Sequence, residues 1–578
     1  MNQELLKLLH TMVVYLKMDD VPFKPQAYEK AEEAITALNT SVEVIYKNGG
    51  LKALTSIPGV GFNIANHIEE FIKTKTFKAY QEYSAKYPIH INTLSAIQGV
   101  GPKTLKILYE KLKIINLRDL RTAALSGQIA SISGFGEKTQ QNILDGIKFL
   151  ERNQGYFLLG DALPMAESIK NDLSNLAHVE NVIIAGSLRR RKEIVKDIDI
   201  LVISDQPEMV TKFFVSMPSV ERIYDRGETK SNVRLKNGID VDLRIVHKQS
   251  LGAALSYFTG SKNHNIRLRQ IAIDKGYKLN EYGLFKDDNM VAGLDETSIY
   301  NTLGLQYIEP ELREDNGEIE AAQNNTLPKL IPYDNLIGDC QIQTNWSDGA
   351  NSIEEMADAG QKAGLEYIVI TDHTKSLGIA HGLDEARLLQ QGVTIDKINK
   401  KLTASGKRFT VLKGSEVDIL KDGSLDIDDS VLEKLDVVGA SVHSGFKMSG
   451  EEMTKRIIKA MENPNVDILF HPTGRMLQRR EPYDVDIDEI IEVAKRTGTI
   501  LEIDAIYSRL DLKDEHIRRA VKSGVKFTID SDAHSLKDLD KSFGVAQARR
   551  GWATKDDVIN TRPLSLFLKS LKCRAREL

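Results

Sequence analysis

Cysteine is almost absent: Cys340 and Cys573 are the only two among 578 residues. That excludes a disulfide framework and fits a reducing compartment. No stretch is long and apolar enough to span a bilayer. The opening Met1-Asn2-Gln3-Glu4 lacks the basic and apolar regions of a secretory signal, so a cytoplasmic protein is expected. Bulk positive charge is missing too, because the formal net charge is −5. If such a chain binds nucleic acid, it does so through local patches and backbone donors. The remainder is ordinary, at 41% hydrophobic and 28% charged, and long enough for three or more domains with ample cores.

The most informative stretch runs from Gly186 to Ile200. It places Gly186-Ser187 and the arginines 189–191 just upstream of Asp197-Ile198-Asp199. The apolar, β-branched run 181–185 predicts a buried strand leading into a Gly-Ser turn. Ile198 and residues 200–203 predict a second strand. Side chains alternate along a strand, so Asp197 and Asp199 share a face. Two carboxylates there repel unless a cation lies between them, and hard oxygen ligands suit Mg²⁺ or Mn²⁺. Backbone N–H groups of Gly186 and Ser187 and the fork of Arg190 suit phosphate oxygens. Residues 239–246 alternate strictly, placing Asp240 and Asp242 on one face. Either could complete the site by accepting the proton of an attacking hydroxyl. The implied chemistry is in-line nucleotidyl transfer with two metal ions. Solvated acids on an exposed strand would not require Gly-Ser, Arg and Asp-x-Asp to arrive together in this order.

Three segments in the first third repeat one theme: Ile57-Pro58-Gly59-Val60-Gly61, Ile97-Gln98-Gly99-Val100-Gly101 and Ile132-Ser133-Gly134-Phe135-Gly136. Each follows one helical pattern and opens another. The glycines allow a tight hairpin, and the next helix offers free N–H groups to a phosphate. The theme resembles the helix-hairpin-helix motif, which implies DNA-backbone binding at Gly59, Gly61, Gly99, Gly101, Gly134 and Gly136 without sequence readout.

From Glu309 to Gly338 the sequence is polar and irregular and reads as a linker. Beyond it, short apolar strands alternate with helical stretches. Several of these strands lead to a metal-ligating type: His373, Glu416, His443, His471, and the pair Asp532 and His534. Repeated β/α units with polar groups at strand C-terminal ends predict a barrel with its site on one face. Such donors suit Zn²⁺, Mn²⁺ or Fe²⁺. His247, His264, His381 and His516 lack that context and read as structural.

The Gly186–Asp199 stretch resembles the nucleotidyltransferase motif of family X DNA polymerases. The resemblance implies that Ser187 and Arg190 contact an incoming triphosphate, that Asp197 and Asp199 hold both metals, and that Asp242 completes the catalytic set. Tyr257-Phe258-Thr259-Gly260-Ser261 resembles the nucleotide-side loop, with Tyr257 and Phe258 beside the sugar. Asn265 matches the position that contacts the incoming base, and Arg269 the one near the templating strand. The segment Gly227-Glu228-Thr229-Lys230 resembles the primer-side strand, implying DNA contacts for Thr229 and Lys230. Asp240 is a departure, since better-known animal relatives carry arginine there.

Residues 1–85 resemble the family's small N-terminal domain, but His67 stands where repair members have a Schiff-base lysine. Imidazole cannot form that adduct, so no strong lyase activity is expected. The C-terminal pattern resembles the polymerase and histidinol phosphatase (PHP) domain, a distorted barrel that trims DNA 3′ ends in many bacterial relatives. There Asp348 in Trp346-Ser347-Asp348-Gly349 matches a further ligand. The family's first His-x-His is replaced by Gln341 and Gln343, and a neutral amide is a poor ligand for a borderline-soft metal. A smaller departure is Asp504, where relatives have asparagine.

The expected fold is multidomain. A helix-hairpin-helix domain spans 1–85 and a fingers-like helical subdomain 86–152. An α+β palm spans 153–246 and a thumb 247–313. A linker at 314–335 leads to a distorted (β/α) barrel at 336–578. The expected function is template-directed DNA polymerisation in short gaps during base excision repair. The barrel is expected to be degenerate, with weak or absent 3′–5′ exonuclease. Gapped or primed DNA and dNTPs are the expected partners of a monomer. A template-independent nucleotidyltransferase, an active exonuclease, or a metallophosphoesterase with a passive DNA-binding arm are the alternatives.

Overall fold

The computed structural model describes residues 2–36, 38, 40–57, 59–95, 97, 99–153 and 155–572. Pro58, Gln98 and Cys573 lie outside them. The chain forms two compact units: Met1–Gln154 with Gln478–Arg480, and Gly155–Leu477 with Glu481–Leu578.

The first unit is helical and buries one apolar core that includes Leu5, Leu9, Ile64, Ile68, Leu105 and Ile143. The first glycine of each repeat adopts a left-handed backbone, with φ of 81° at Gly59, 87° at Gly99 and 86° at Gly134. Residues with a Cβ rarely adopt that region. At Gly59 a Cβ would also lie 2.9 Å from the Lys30 carbonyl oxygen. The second glycines, Gly61 and Gly101, are extended N-caps of helices Phe62–Thr74 and Pro102–Leu112, and neither supplies a side-chain cap. Gly136 directly precedes the helix Glu137–Asn153. All three repeats therefore precede a helix start, as the glycine spacing predicts.

The second unit begins with a five-stranded palm: β1 (Val179–Ile184), β2 (Asp197–Ser204), β3 (Val220–Arg226), β4 (Lys230–Leu235) and β5 (Asp240–Val246). Their order is β1-β2-β5-β4-β3, with β2 and β5 parallel and the other pairs antiparallel. Alternation sends Ile198, Ile200, Val241 and Leu243 into a core shared with Leu159, Ala162 and Ala166 of the helix Leu159–Ser174. Two local expectations change. Within β1 only Val182 is buried, because β1 is an edge strand with a single neighbour. Gly186-Ser187 is not a turn but opens a four-residue helix, Gly186–Arg189. The thumb follows, with helices Leu251–Thr259 and Lys262–Asp274 and a small three-stranded sheet.

Seven parallel strands form the barrel in sequential order: β6 (Gly338–Ile342), β7 (Tyr367–Ile370), β8 (Thr410–Asp418), β9 (Val437–Ser441), β10 (Ile468–Leu469), β11 (Ile500–Asp504) and β12 (Phe527–Asp530). The ring is nearly closed. At the seam, Ser531 N–H donates to Asp339 (3.1 Å) and Cys340 N–H to Asp530 (2.9 Å). Cys340 itself packs among Tyr367, Val369 and Phe470, away from the polar face, as its displacement by one residue predicts.

The stretch read as a linker is folded. It contains the helix Glu318–Gln323, fully buries Arg313 and Glu318, and contributes Ile319, Ala322 and Leu330 to the thumb core. Arg313 and Glu318 are buried against Glu296 and His264, which polarity alone does not disclose. Among the described residues no helix is long and apolar enough to cross a membrane.

Candidate active site and candidate metal centre

In the palm, parallel pairing sets Asp197 beside Asp240 and Asp199 beside Asp242. The sequence leaves the third carboxylate open between Asp240 and Asp242, and Arg234 pairs with the first of them. It grips Asp240 with two hydrogen bonds of 2.8 and 2.9 Å, so Asp240 already has its cation. Burial first, then the charges of Asp197 and Asp242, together lift the Asp199 carboxyl to about 7. Asp197 is raised for the same reasons, burial first and Asp242 next. Carboxylates held together at this cost fit a hard divalent ion. Gly186 permits the close approach this requires: its φ is 61°, and a Cβ would lie 2.0 Å from Asp199 Oδ2.

The residues expected on the nucleotide side contact one another in two groups. Arg190 donates through Nε to Glu314 (3.0 Å) and through Nη1 to the Thr259 carbonyl. Tyr257 and Phe258 meet edge to face at 5.1 Å, and Asn265 donates to the Tyr257 carbonyl (2.7 Å). One cleft is lined by Tyr257, Asn265 and Arg269 together with Ser256 and Asn280. Ser261, expected in the nucleotide-side loop, caps the helix Lys262–Asp274, its hydroxyl accepting from His264 N–H (3.3 Å). Gly260 lies against Arg190, where a Cβ would be 3.1 Å from Nη1. Ser187 is half-buried on the short helix beside Asp199, and Thr229 and Lys230 lie at the start of β4, exposed and half-exposed.

Arg189, next to Arg190, has a scaffolding role. It donates to Glu296 at 3.0 and 2.6 Å, and Glu296 also accepts from buried Arg313 at 2.5 Å. Burial pushes the Glu296 carboxyl up, but Arg313 and Arg189 outweigh it and hold the group down at about 2. Its stabilising contribution is complete above the ordinary value of 4.5 and is lost as pH falls from there towards about 2. Glu296→Gln is expected to destabilise the unit by about 3 kcal/mol, since it leaves two arginines short of an anion. An unchanged Tm would contradict this. His264, read as structural, lies buried between Glu318 (2.7 Å) and the Tyr300 hydroxyl (2.9 Å).

The barrel gathers its predicted donors at the C-terminal ends of its strands. Asp348, His373 and His534 form one group, and His373, Glu416 and His443 another, each with donor atoms within 4.8 Å of one another. His471 reaches Glu416 at 2.8 Å. Burial opposes ionisation of Glu416, but His373 and His443 hold its carboxyl well below the usual range. Burial lowers His443, yet Glu416 and Asp418 outweigh it and raise the imidazole to about 10. Asp532 lies 3.9 Å from His534 and 3.7 Å from Arg509, which is also 3.5 Å from Asp504. Burial and neighbouring acids push Glu502 and Asp504 well up. Reading strand ends for ligands missed Asp418, Glu502 and Arg509. Alternation on β11 offered the one available signal, for Glu502 and Asp504.

The donors of the Asp348 group fit a metal. Those around Glu416 fit less well. Gln343 Nε2 donates to Glu416 Oε2 (3.0 Å), so an N–H group occupies the carboxylate where an imidazole lone pair would face an ion. Gln341 is fully buried with both amide atoms unpaired, and Gln343 Oε1 is unpaired as well.

Comparison with known proteins agrees with this architecture. The helix-hairpin-helix domain family matches residues 1–77, the SAM-like helix-hairpin-helix tandem family residues 91–148, and the DNA polymerase beta thumb family residues 254–314. The DNA polymerase/3′-5′ exonuclease PolX of Bacillus subtilis is 36% identical over 577 residues, 98% of this chain and 99% of that one. A probable phosphatase of Thermoanaerobacter sp. (strain X514) is 33% identical over 239 residues of the C-terminal part, 39% of this chain and 91% of that one. The crystal structure of polymerase beta from Leishmania infantum aligns with a TM-score of 0.26 and 23% identity, over 39% of this chain and 97% of that one.

Palm, thumb and helix-hairpin-helix region together define a DNA-polymerising nucleotidyltransferase. The chain belongs to the bacterial family X DNA polymerases that carry a C-terminal PHP domain.

Proposed function

We propose that the palm adds a deoxynucleotide, chosen by the template, to a primer 3′ end in short gaps of cytoplasmic DNA. The observation that carries this is the carboxylate set Asp197, Asp199 and Asp242, placed by β2 and β5 beside a glycine backbone and the Arg190 fork. These three aspartates would hold Mg²⁺ or Mn²⁺, which supplies charge neutralisation at the reacting phosphate. Gly186, Ser187 and Arg190 orient the triphosphate. Asp242 takes the proton of the primer 3′ hydroxyl. The O3′–Pα bond then forms as the bond from Pα to the bridging oxygen breaks, and pyrophosphate leaves. Tyr257 and Phe258 stand beside the sugar, Asn265 at the incoming base and Arg269 towards the template. The helix starts after Gly61, Gly101 and Gly136 hold DNA backbone, and Thr229 and Lys230 the primer strand. On a one-nucleotide gap with each dNTP supplied singly, only the template's complement is expected to be added. Equal addition of all four would favour a template-independent transferase.

For the PHP barrel, the proposal is that the exonuclease named for the Bacillus subtilis relative is weak or absent here. The Gln343–Glu416 hydrogen bond supports this, because it occupies the carboxylate shared by His373, His443 and His471. The group Asp348, His373 and His534 supports a second reading, in which a Zn²⁺, Mn²⁺ or Fe²⁺ ion still binds at reduced occupancy.

A further inference from the structure

Between the palm and the barrel lies a buried charge cluster that no catalytic role above uses. Arg550 ends the barrel helix Ser542–Arg550, and its side chain is 2% exposed. It donates through Nη2 to Asp514 of the barrel (2.5 Å) and through Nη1 to the backbone carbonyl of Arg190 (2.9 Å). The same Nη1 lies 3.3 Å from Glu314 Oε1, the oxygen that accepts from Arg190 Nε. One carboxylate oxygen is therefore shared by the guanidinium of the barrel and that of the nucleotide-side arginine. Three residues along, Glu193 accepts from Arg475 (2.5 Å) and Gln547 (2.5 Å), both from the barrel. The palm loop 190–193 is held at both ends by barrel side chains.

We infer that Arg550 is a positioning residue for dNTP binding: it fixes the backbone of Arg190 and orients Glu314, so that the Arg190 fork is held ready for the triphosphate. This rests on the reading that Arg190 contacts the triphosphate. Two effects act in the same direction. A long arginine side chain carries much rotamer freedom, and holding it in advance lowers what binding must spend on ordering it. Arg550 also neutralises Glu314, which would otherwise repel an incoming polyanion. Among the described residues no group hydrogen-bonds Arg190 Nη2, which leaves that end of the fork for a ligand. The barrel thus has a task in polymerisation that does not depend on its metals.

The test is steady-state kinetics of the full-length protein on gapped DNA. Arg550→Gln is expected to raise the KM for dNTP roughly tenfold, with kcat and DNA affinity within about twofold, and Arg550→Lys to restore part of the loss. Asp514→Asn, which loosens Arg550 from its far side, is expected to move KM in the same direction by less, and it serves if Arg550→Gln does not fold. In an Arg190→Ala background neither change should raise KM further. An Arg190→Ala variant with unaltered KM would sink the reading of the triphosphate site, and this proposal with it. If Arg190→Ala raises KM but folded Arg550 and Asp514 variants do not, or act equally in its absence, the triphosphate reading stands and Arg550 is structural only.

Discussion

Asp199→Ala is expected to abolish primer extension while leaving DNA binding intact. Among the described residues no cationic side chain ion-pairs with Asp199 directly: Arg234 serves Asp240, Arg190 bonds Glu314 and Thr259, and Arg190 and Arg244 act on it only through their charge. Its carboxyl is buried and lies within reach of the charges of Asp197 and Asp242, a repulsion that the proposed ion would relieve. Metal ions contribute several kcal/mol of charge stabilisation in such transfers, so extension should fall at least about a thousandfold. The helix starts assigned to DNA backbone belong to the other unit and should hold DNA as before. Removing a carboxylate from a repelling set should raise Tm or leave it unchanged, which separates loss of chemistry from loss of fold. Extension retained by this variant would refute the assigned site.

Restoring Gln341→His and Gln343→His together is expected to have the second largest effect. Gln343 now ties up Glu416 through an N–H group, and Gln341 is buried with neither amide atom paired. Neutral imidazoles would replace both by lone-pair donors. About one further metal ion per chain should appear by elemental analysis, and nuclease activity should rise at least roughly tenfold. The stability cost should be small, because the change removes unsatisfied buried amide atoms. No gain of metal would mean that the barrel has decayed beyond its first motif, with Arg509 beside Asp504 and Asp532 the next place to look.

The chemistry-bearing elements were legible because their signals are local. Period-two alternation put Asp197 with Asp199, and Asp240 with Asp242, and the parallel register of β2 and β5 then brought the pairs side by side. The glycine repeats announced three helix starts, because a left-handed backbone at Gly59, Gly99 and Gly134 leaves few other residue types. Strand ends announced the donors around His373 and Glu416.

What stayed hidden depends on contacts far apart in sequence. Arg234 pairs with Asp240, one of two acids that alternation left equal. Glu314 and Arg550 look like ordinary surface charges until folding brings them together beside Arg190. Residues 314–335 look solvated because polarity resembles exposure, yet Glu318 is satisfied by buried His264 and by backbone N–H groups of Asp315 and Asn316.

The most direct test follows the length of a 5′-labelled primer in gapped DNA with Mn²⁺, first without dNTPs and then with them. The account predicts little or no shortening in the first stage and template-dictated extension in the second, as expected of a polymerase whose barrel supports the palm. Shortening that disappears in a His373→Ala, His471→Ala variant would contradict it and show a working 3′ nuclease.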